Sequence, residues 1–195
     1  MGHDKRLKVK YLALFMALYL FLSGTAFGLW TNPTFFQLSL DAAQVTGYFP
    51  NVLPPLLPHK NGVKGIPPLF FFIRSKIMSN LSQENLQGQM DIWDHIQPDT
   101  VYNFVLLTDR IVFTKAGDNF VTGLLSKHIF QTGFAKDLRF AGQVKFLSGY
   151  PRRIIVNNAS GSYRPGDELL PSIREFFQSV LKWGPTQTVN SRVVF

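Results

Sequence analysis

Two hydroxyls, a phenol and a guanidinium crowd into Asn157-Asn158-Ala159-Ser160-Gly161-Ser162-Tyr163-Arg164-Pro165. Arg164 is the member of this stretch suited to clamping an anion. Its planar fork can give two parallel N–H bonds to a carboxylate or phosphate. Its other use is an ion pair with Asp167 or Glu168 across the turn. Ser160 and Ser162 can face a ligand or satisfy the turn's own backbone groups. Tyr163 can half-bury its ring and tie its hydroxyl to the backbone. His128, in Leu125-Ser126-Lys127-His128-Ile129-Phe130, is the candidate acid/base. That role needs a carboxylate or hydroxyl partner. A loop or partly buried histidine with a satisfied hydrogen bond is the alternative.

Other chemistries are excluded more firmly. The four histidines, His3, His59, His95 and His128, share no metal-ligand spacing, so no metal is expected. GxSxG, GxxxxGK[ST] and GxGxxG are all missing, and no cofactor is expected. The chain has no cysteine, which rules out disulfides and thiol catalysis and leaves the redox compartment open. Net charge is +8. Four of the twenty Lys/Arg and one of the twelve Asp/Glu lie before residue 27, so the remainder carries +5. That bias favours acidic partners or anionic lipid. No RNP, zinc-finger or helix-turn-helix pattern accompanies it, so nucleic acid is not expected as a partner.

The stretch is a strand–loop–helix junction, a place where a rigid frame can display polar groups. Arg153-Ile154-Ile155-Val156 reads as the strand entering it. Leaving it, Leu169, Leu170, Ile173, Phe176, Phe177, Val180 and Leu181 repeat at helical spacing, which predicts an amphipathic helix over 168–183. Asp167 can cap it, or Ser172 and Glu175 can form a capping box. Pro171 suits a first turn, and Gly184-Pro185 ends the helix. The tail beyond Pro185 is polar, closes on Val193-Val194-Phe195 and can add an edge strand. Upstream, Val101 to Phe113 reads as a hairpin about Thr108-Asp109-Arg110, and Phe140 to Leu147 as a further strand. Leu69 to Ile73 is an apolar run that fits a strand or a helix. Short strands and frequent turns predict an antiparallel meander packed against the C-terminal helix, an α+β fold.

The chain opens with Lys5, Arg6, Lys8 and Lys10, then runs uncharged from Tyr11 to Trp30. This is the form of an export signal with small residues for a cut after Ala26 or, alternatively, after Gly28. Left uncleaved, the same residues are long enough to anchor the chain in a bilayer of about 30 Å. The expected organisation is a signal or anchor helix over 1–30, a Pro-rich wrap or linker over 31–68 and an α+β domain over 69–195. Asn80-Leu81-Ser82 and Asn158-Ala159-Ser160 both fit the glycosylation acceptor pattern.

The stretch from Val156 to Pro165 resembles an SGHYxP signature. That signature belongs to a domain found in plant IQM-type calmodulin-binding proteins and related fungal and bacterial proteins. The order of pieces is similar as well. Tyr102 to Phe113 sits at the family's hairpin, Ser126 to Phe130 at its H-S-S-F stretch, and Ala141-Gly142-Gln143 at its A-G-x strand. Resemblance covers about Leu69 to Leu181. Ser162 stands where the signature has His, and no IQ motif occurs, so calmodulin binding is not implied. A weaker similarity runs to bacterial effectors that transfer AMP using a Ser and an HxxxE motif. Ser162 and Gly166 fall at its His and Glu, so that activity is not implied either.

Together these features lead to an exported, effector-like binding protein with an IQM-like domain. Ser160, Ser162, Tyr163 and Arg164 are its recognition residues, and its partner is a protein or an anionic small molecule. A transferase using Arg164 to hold phosphate and His128 as acid/base is one alternative. A structural envelope protein is another. Membrane is a partner only if the N-terminal helix stays uncleaved. Intact mass of the mature protein checks the export reading. The expected chain lacks residues 1–26, or 1–28 for the second cut, and a soluble cytoplasmic protein retaining Met1 to Trp30 removes it.

Overall fold

The computed structural model describes residues 35–54, 83–89, 92–116, 127–132, 135, 137–191, 193 and 195. The leader, Asn80 and the Leu69–Ile73 run lie outside the described residues. Seven strands form one sheet: β1 (Phe35–Ser39), β2 (Gln83–Leu86), β3 (Val101–Leu106), β4 (Arg110–Lys115), β5 (Phe140–Leu147), β6 (Arg153–Asn157) and β7 (Thr186–Val189). Their order is β2-β1-β4-β3-β5-β6-β7. Short helices accompany them: α1 (Ala42–Tyr48), α2 (Ile92–His95), α3 (Lys127–Thr132) and α4 (Leu170–Glu175).

The centre of the sheet is antiparallel, with β3–β4 and β5–β6 as hairpins, but it is not the expected meander, because β5 pairs with β3 and not with β4, which precedes it in the chain. The two outermost pairs, β1–β2 and β6–β7, are parallel. The sheet also reaches further back than residue 69, because β1 pairs with β4 from within the segment read as wrap or linker. Phe35-Phe36-Gln37-Leu38 precedes the prolines and keeps every backbone donor a strand needs. Residues beyond α1 do wrap. Leu53 N–H donates to the Leu138 carbonyl at 2.7 Å, and Arg139 Nη1 donates to the carbonyls of Phe49 and Pro50 at 3.0 and 2.7 Å.

Period-two alternation splits the sheet residues between two faces. Tyr102, Phe104 and Leu106 of β3 face the larger core, together with Ile111, Phe113, Phe140 and Phe146. Val105 and Leu107 face a smaller cluster with Val112, Leu138, Ala141 and Tyr163. The C-terminal segment closes the larger core, but not as one regular helix. A 3₁₀ turn (Asp167–Leu169) leads into α4, and a π-turn (Phe176–Val180) follows. Leu181 N–H bonds the Phe176 carbonyl at 3.1 Å, and Trp183 N–H the Phe177 carbonyl at 3.2 Å. Widening the last turn brings Leu181 and Trp183 into the core beside Phe176 and Phe177, where all four are buried. A strict 3.6 period would not align them this way. Pro171 lies in the first turn of α4 as expected, while Asp167 caps nothing with its side chain.

Phe177 is fully buried, with ring centroids 5.4 Å from Phe104 and 5.1 Å from Trp183. Replacing such a residue by Ala removes both its transfer energy and its packing, about 3–5 kcal/mol. Phe177→Ala is expected to lose that much in a denaturant titration. Glu175→Ala, at an exposed site, should stay within about 0.5 kcal/mol. Equal, small shifts for both would refute the packing.

Candidate functional site

On the face of the smaller cluster, one row of polar side chains crosses four strands. Register pairs Thr114 of β4 with Asn103 of β3, Asn103 with Gln143 of β5, and Gln143 with Asn157 of β6. Asn103, Thr114 and Asn157 are buried. Their bonds run sideways through the row. Gln143 Nε2 donates to Asn103 Oδ1 at 3.4 Å, and Asn157 Nδ2 donates to Gln143 Oε1 at 3.2 Å. Buried amides stay in a core only when satisfied in this way.

Helix α3 covers the row. Gln131 Nε2 donates to the Asn103 carbonyl and to Thr114 Oγ1, both at 2.9 Å. His128, one turn earlier and buried, places Nε2 3.0 Å from the Gly142 carbonyl. A carbonyl only accepts, so this nitrogen carries the proton. Thr132 Oγ1 and the Tyr163 hydroxyl share a hydrogen bond of 3.0 Å. One short helix therefore touches the Gly142 strand with one residue and the signature loop with another, four positions apart.

The loop begins where Asn157 leaves the sheet. Asn157 Oδ1 accepts from Gln143 N–H at 2.9 Å and from Ala159 N–H at 3.0 Å. Asn158 Nδ2 donates to the Pro165 carbonyl and to Asp167 Oδ1, both at 2.8 Å. Ser160 Oγ accepts from Tyr163 N–H at 3.3 Å, and its carbonyl accepts from Arg164 N–H at 3.0 Å. Ser160, Ser162 and Tyr163 are all buried. Burial raises the Tyr163 pKa from its ordinary 10.0, opposed by the bond to Thr132, so the phenol stays neutral.

The four expected recognition residues therefore separate. Ser160 and Tyr163 build the turn, Ser162 is enclosed within it, and Arg164 alone of the four is exposed. Asp167 bonds Asn158 instead of Arg164. Arg164 also carries the loop's left-handed backbone, at φ 43°. Glycine is the residue type best suited to that conformation. Gly161 has an ordinary φ and open space where a Cβ would be. Asn158 cannot serve as a glycosylation acceptor in the fold, because both hydrogens of the nitrogen a glycan would take are bonded inside it.

Sequence reasoning passed over Asn103, Thr114, Gln131 and Asn157. A usable signal was there: Asn103 interrupts the apolar run Val101-Tyr102-Asn103-Phe104-Val105. A lone amide in a strand apolar on both sides needs a buried partner. Elsewhere, a cleft of about 570 Å³ opens between α1 and the π-turn, lined by residues such as Gln44, Tyr48, Ser179 and Lys182. None of the signature residues lines it. Comparison of the chain with protein-family models, curated proteins and solved structures found no match.

At Gly142 two backbones approach closely, since a Cβ there would lie 2.0 Å from the Asn157 carbonyl oxygen. Gly142→Ala must push β5 from β6 and is expected to cost about 1–3 kcal/mol. Gly161→Ala should be silent within about 0.5 kcal/mol. Thermal denaturation of the two variants checks this, and the reverse ranking would contradict the loop geometry.

Proposed function

We propose that the protein is an exported binding module with an IQM-like domain, and that its signature loop presents Arg164 to an anionic group on a partner. One observation carries the reading. An exposed arginine adopts a left-handed backbone that costs a non-glycine residue about 1–3 kcal/mol. Its buried neighbours hold it there, and no ion pair or side-chain hydrogen bond joins the guanidinium to another described residue. A surface turn with no task beyond closing itself would be served better by glycine at this position.

Two further observations support the module. The His128 helix, the Ala141-Gly142-Gln143 strand and the signature loop, three pieces of the resemblance, meet in one patch. The patch also favours binding over transfer chemistry. His128 Nε2 directs its proton to a carbonyl in a buried position, and Tyr163 is held neutral by burial. An acid/base needs a proton it can exchange with substrate. Export rests on the basic, then uncharged, N-terminal pattern. Among the described residues no helix is long and apolar enough to cross a membrane.

Arg164→Gly tests the reading, because it removes the guanidinium while suiting the backbone. Stability should hold or rise by up to about 1 kcal/mol. Titration with inorganic pyrophosphate, followed by the NMR signal of the Arg164 side-chain N–H, should move that signal in the native chain. Arg164→Lys should bind more weakly, because an ammonium cannot reproduce the parallel pair of bonds. A titration that leaves the Arg164 signal unmoved, or a Lys variant of equal affinity, removes the reading.

A further inference from the structure

Tyr150 stands 98% exposed at the tip of the β5–β6 hairpin. Every residue of Ser148-Gly149-Tyr150-Pro151-Arg152-Arg153 around it is exposed. A tyrosine normally buries much of its ring and keeps only the hydroxyl wet. Here the ring is held out on a braced support. Asp99 N–H donates to the Phe146 carbonyl at 2.7 Å, and the Asp99 carboxylate accepts from Ser148 N–H at 3.3 Å. From the other side, Ile154 N–H donates to the Pro185 carbonyl at 3.0 Å. Gly184, at φ 109°, lets the Arg152 carbonyl come where a Cβ would stand only 2.6 Å away. Arg152 lays its guanidinium over the Trp93 ring, 5.1 Å from the centroid. Among the described residues, no ion pair joins Arg152 or Arg153 to an acid.

We propose that this hairpin tip is a docking knob for an acidic partner protein. Tyr150 enters an apolar recess, and Arg152 and Arg153 face carboxylates on its rim. Tyrosine and arginine are among the residue types that dominate interface energetics. A braced tip loses little freedom on docking, so more of the contact energy appears as affinity. Anionic lipid is the rival occupant, and magnitudes separate the two. Each arginine near a charged bilayer contributes a factor of about five. One tyrosine adds little buried apolar area to that, and stable membrane attachment needs more. A recess that closes on the ring contributes roughly thirtyfold or more from a single anchor. The knob is also separate from Arg164. Strand β6 runs from Arg153 at the knob to Asn157 at the start of the signature loop, four steps or about 13 Å at ~3.3 Å per residue.

Calorimetric titration of the full chain at low salt tests the proposal with three probes. They are a random copolymer of glutamate and tyrosine, poly-glutamate, and phosphatidylcholine/phosphatidylglycerol vesicles. The copolymer should bind more tightly than poly-glutamate. Tyr150→Ala should weaken it by roughly thirtyfold and Arg153→Ala by about tenfold, with melting temperatures unchanged because both side chains are exposed. Arg164→Gly should weaken the two polymers alike and keep the copolymer's advantage over poly-glutamate. Equal binding of the two polymers, or copolymer affinity indifferent to Tyr150→Ala, overturns the proposal. Tyr150-dependent binding of vesicles without binding of copolymer overturns it in favour of lipid. Copolymer affinity that depends on Arg164 and not on Tyr150 moves the acid-binding surface to the other end of β6 and overturns it as well.

Discussion

The side-chain amide of Asn157 is the interaction on which the rest of this structure depends. The residue is fully buried and bonds through both ends. Its oxygen accepts from Gln143 N–H inside the sheet and from Ala159 N–H outside it. Its nitrogen donates to Gln143 Oε1 and, more weakly, to the Val193 carbonyl. One side chain thus ends β6, starts the signature loop and ties both to β5. Buried N–H groups without an acceptor cost on the order of 1–3 kcal/mol each. A slip of β6 by one residue would orphan them and turn its buried side chains to the other face.

The two faces of the sheet do different work. Against the C-terminal segment the contacts are aromatic and aliphatic, and they are tolerant of orientation. Phe104 stacks on Phe140 at 5.7 Å, while Phe113 and Phe146 meet Trp183 at a tilt and Phe177 meets it edge-on. Such packing supplies most of the driving force and little directionality. Against α3 the contacts are hydrogen bonds between named atoms. They specify where the helix sits, because each donor has one acceptor at the right distance and angle. Stability is concentrated on one face and positional specificity on the other.

This division explains the loop. Its hydroxyls and phenol are buried in the turn, and the exposed group is the Arg164 guanidinium on a left-handed backbone. The opposite end of β6 carries the second exposed feature, a braced tyrosine with arginines beside it. Both ends of one strand are therefore occupied by cationic side chains on rigid supports, in keeping with a net charge of +8. His128 and Tyr163, by contrast, are buried and hydrogen-bonded inside the fold.

Much of the fold was legible in the sequence because it is written in local period. The β3–β4 hairpin, β5, β6 and the apolar side of the C-terminal segment follow from alternation, helical spacing and turn residues within short windows. The location of the polar stretch at a strand–loop–helix junction was equally local. Three features were not legible. The tail beyond Pro185 was readable as an edge strand and supplies β7, but the parallel pairing of the outermost strands depends on partners distant in sequence, such as Phe35 against Gln83. The π-turn answers to how Trp183 packs. The fate of the site residues depends on cross-strand register, which sets Asn103 beside Gln143, forty residues away. Residue types and spacing determined by themselves that Ser160, Ser162, Tyr163 and Arg164 would share one turn. Only the tertiary structure decided that the first three face inward and the arginine outward, because burial is set by what other segments lay over the turn, and α3 reaches it from 31 residues away through the bond between Thr132 and Tyr163.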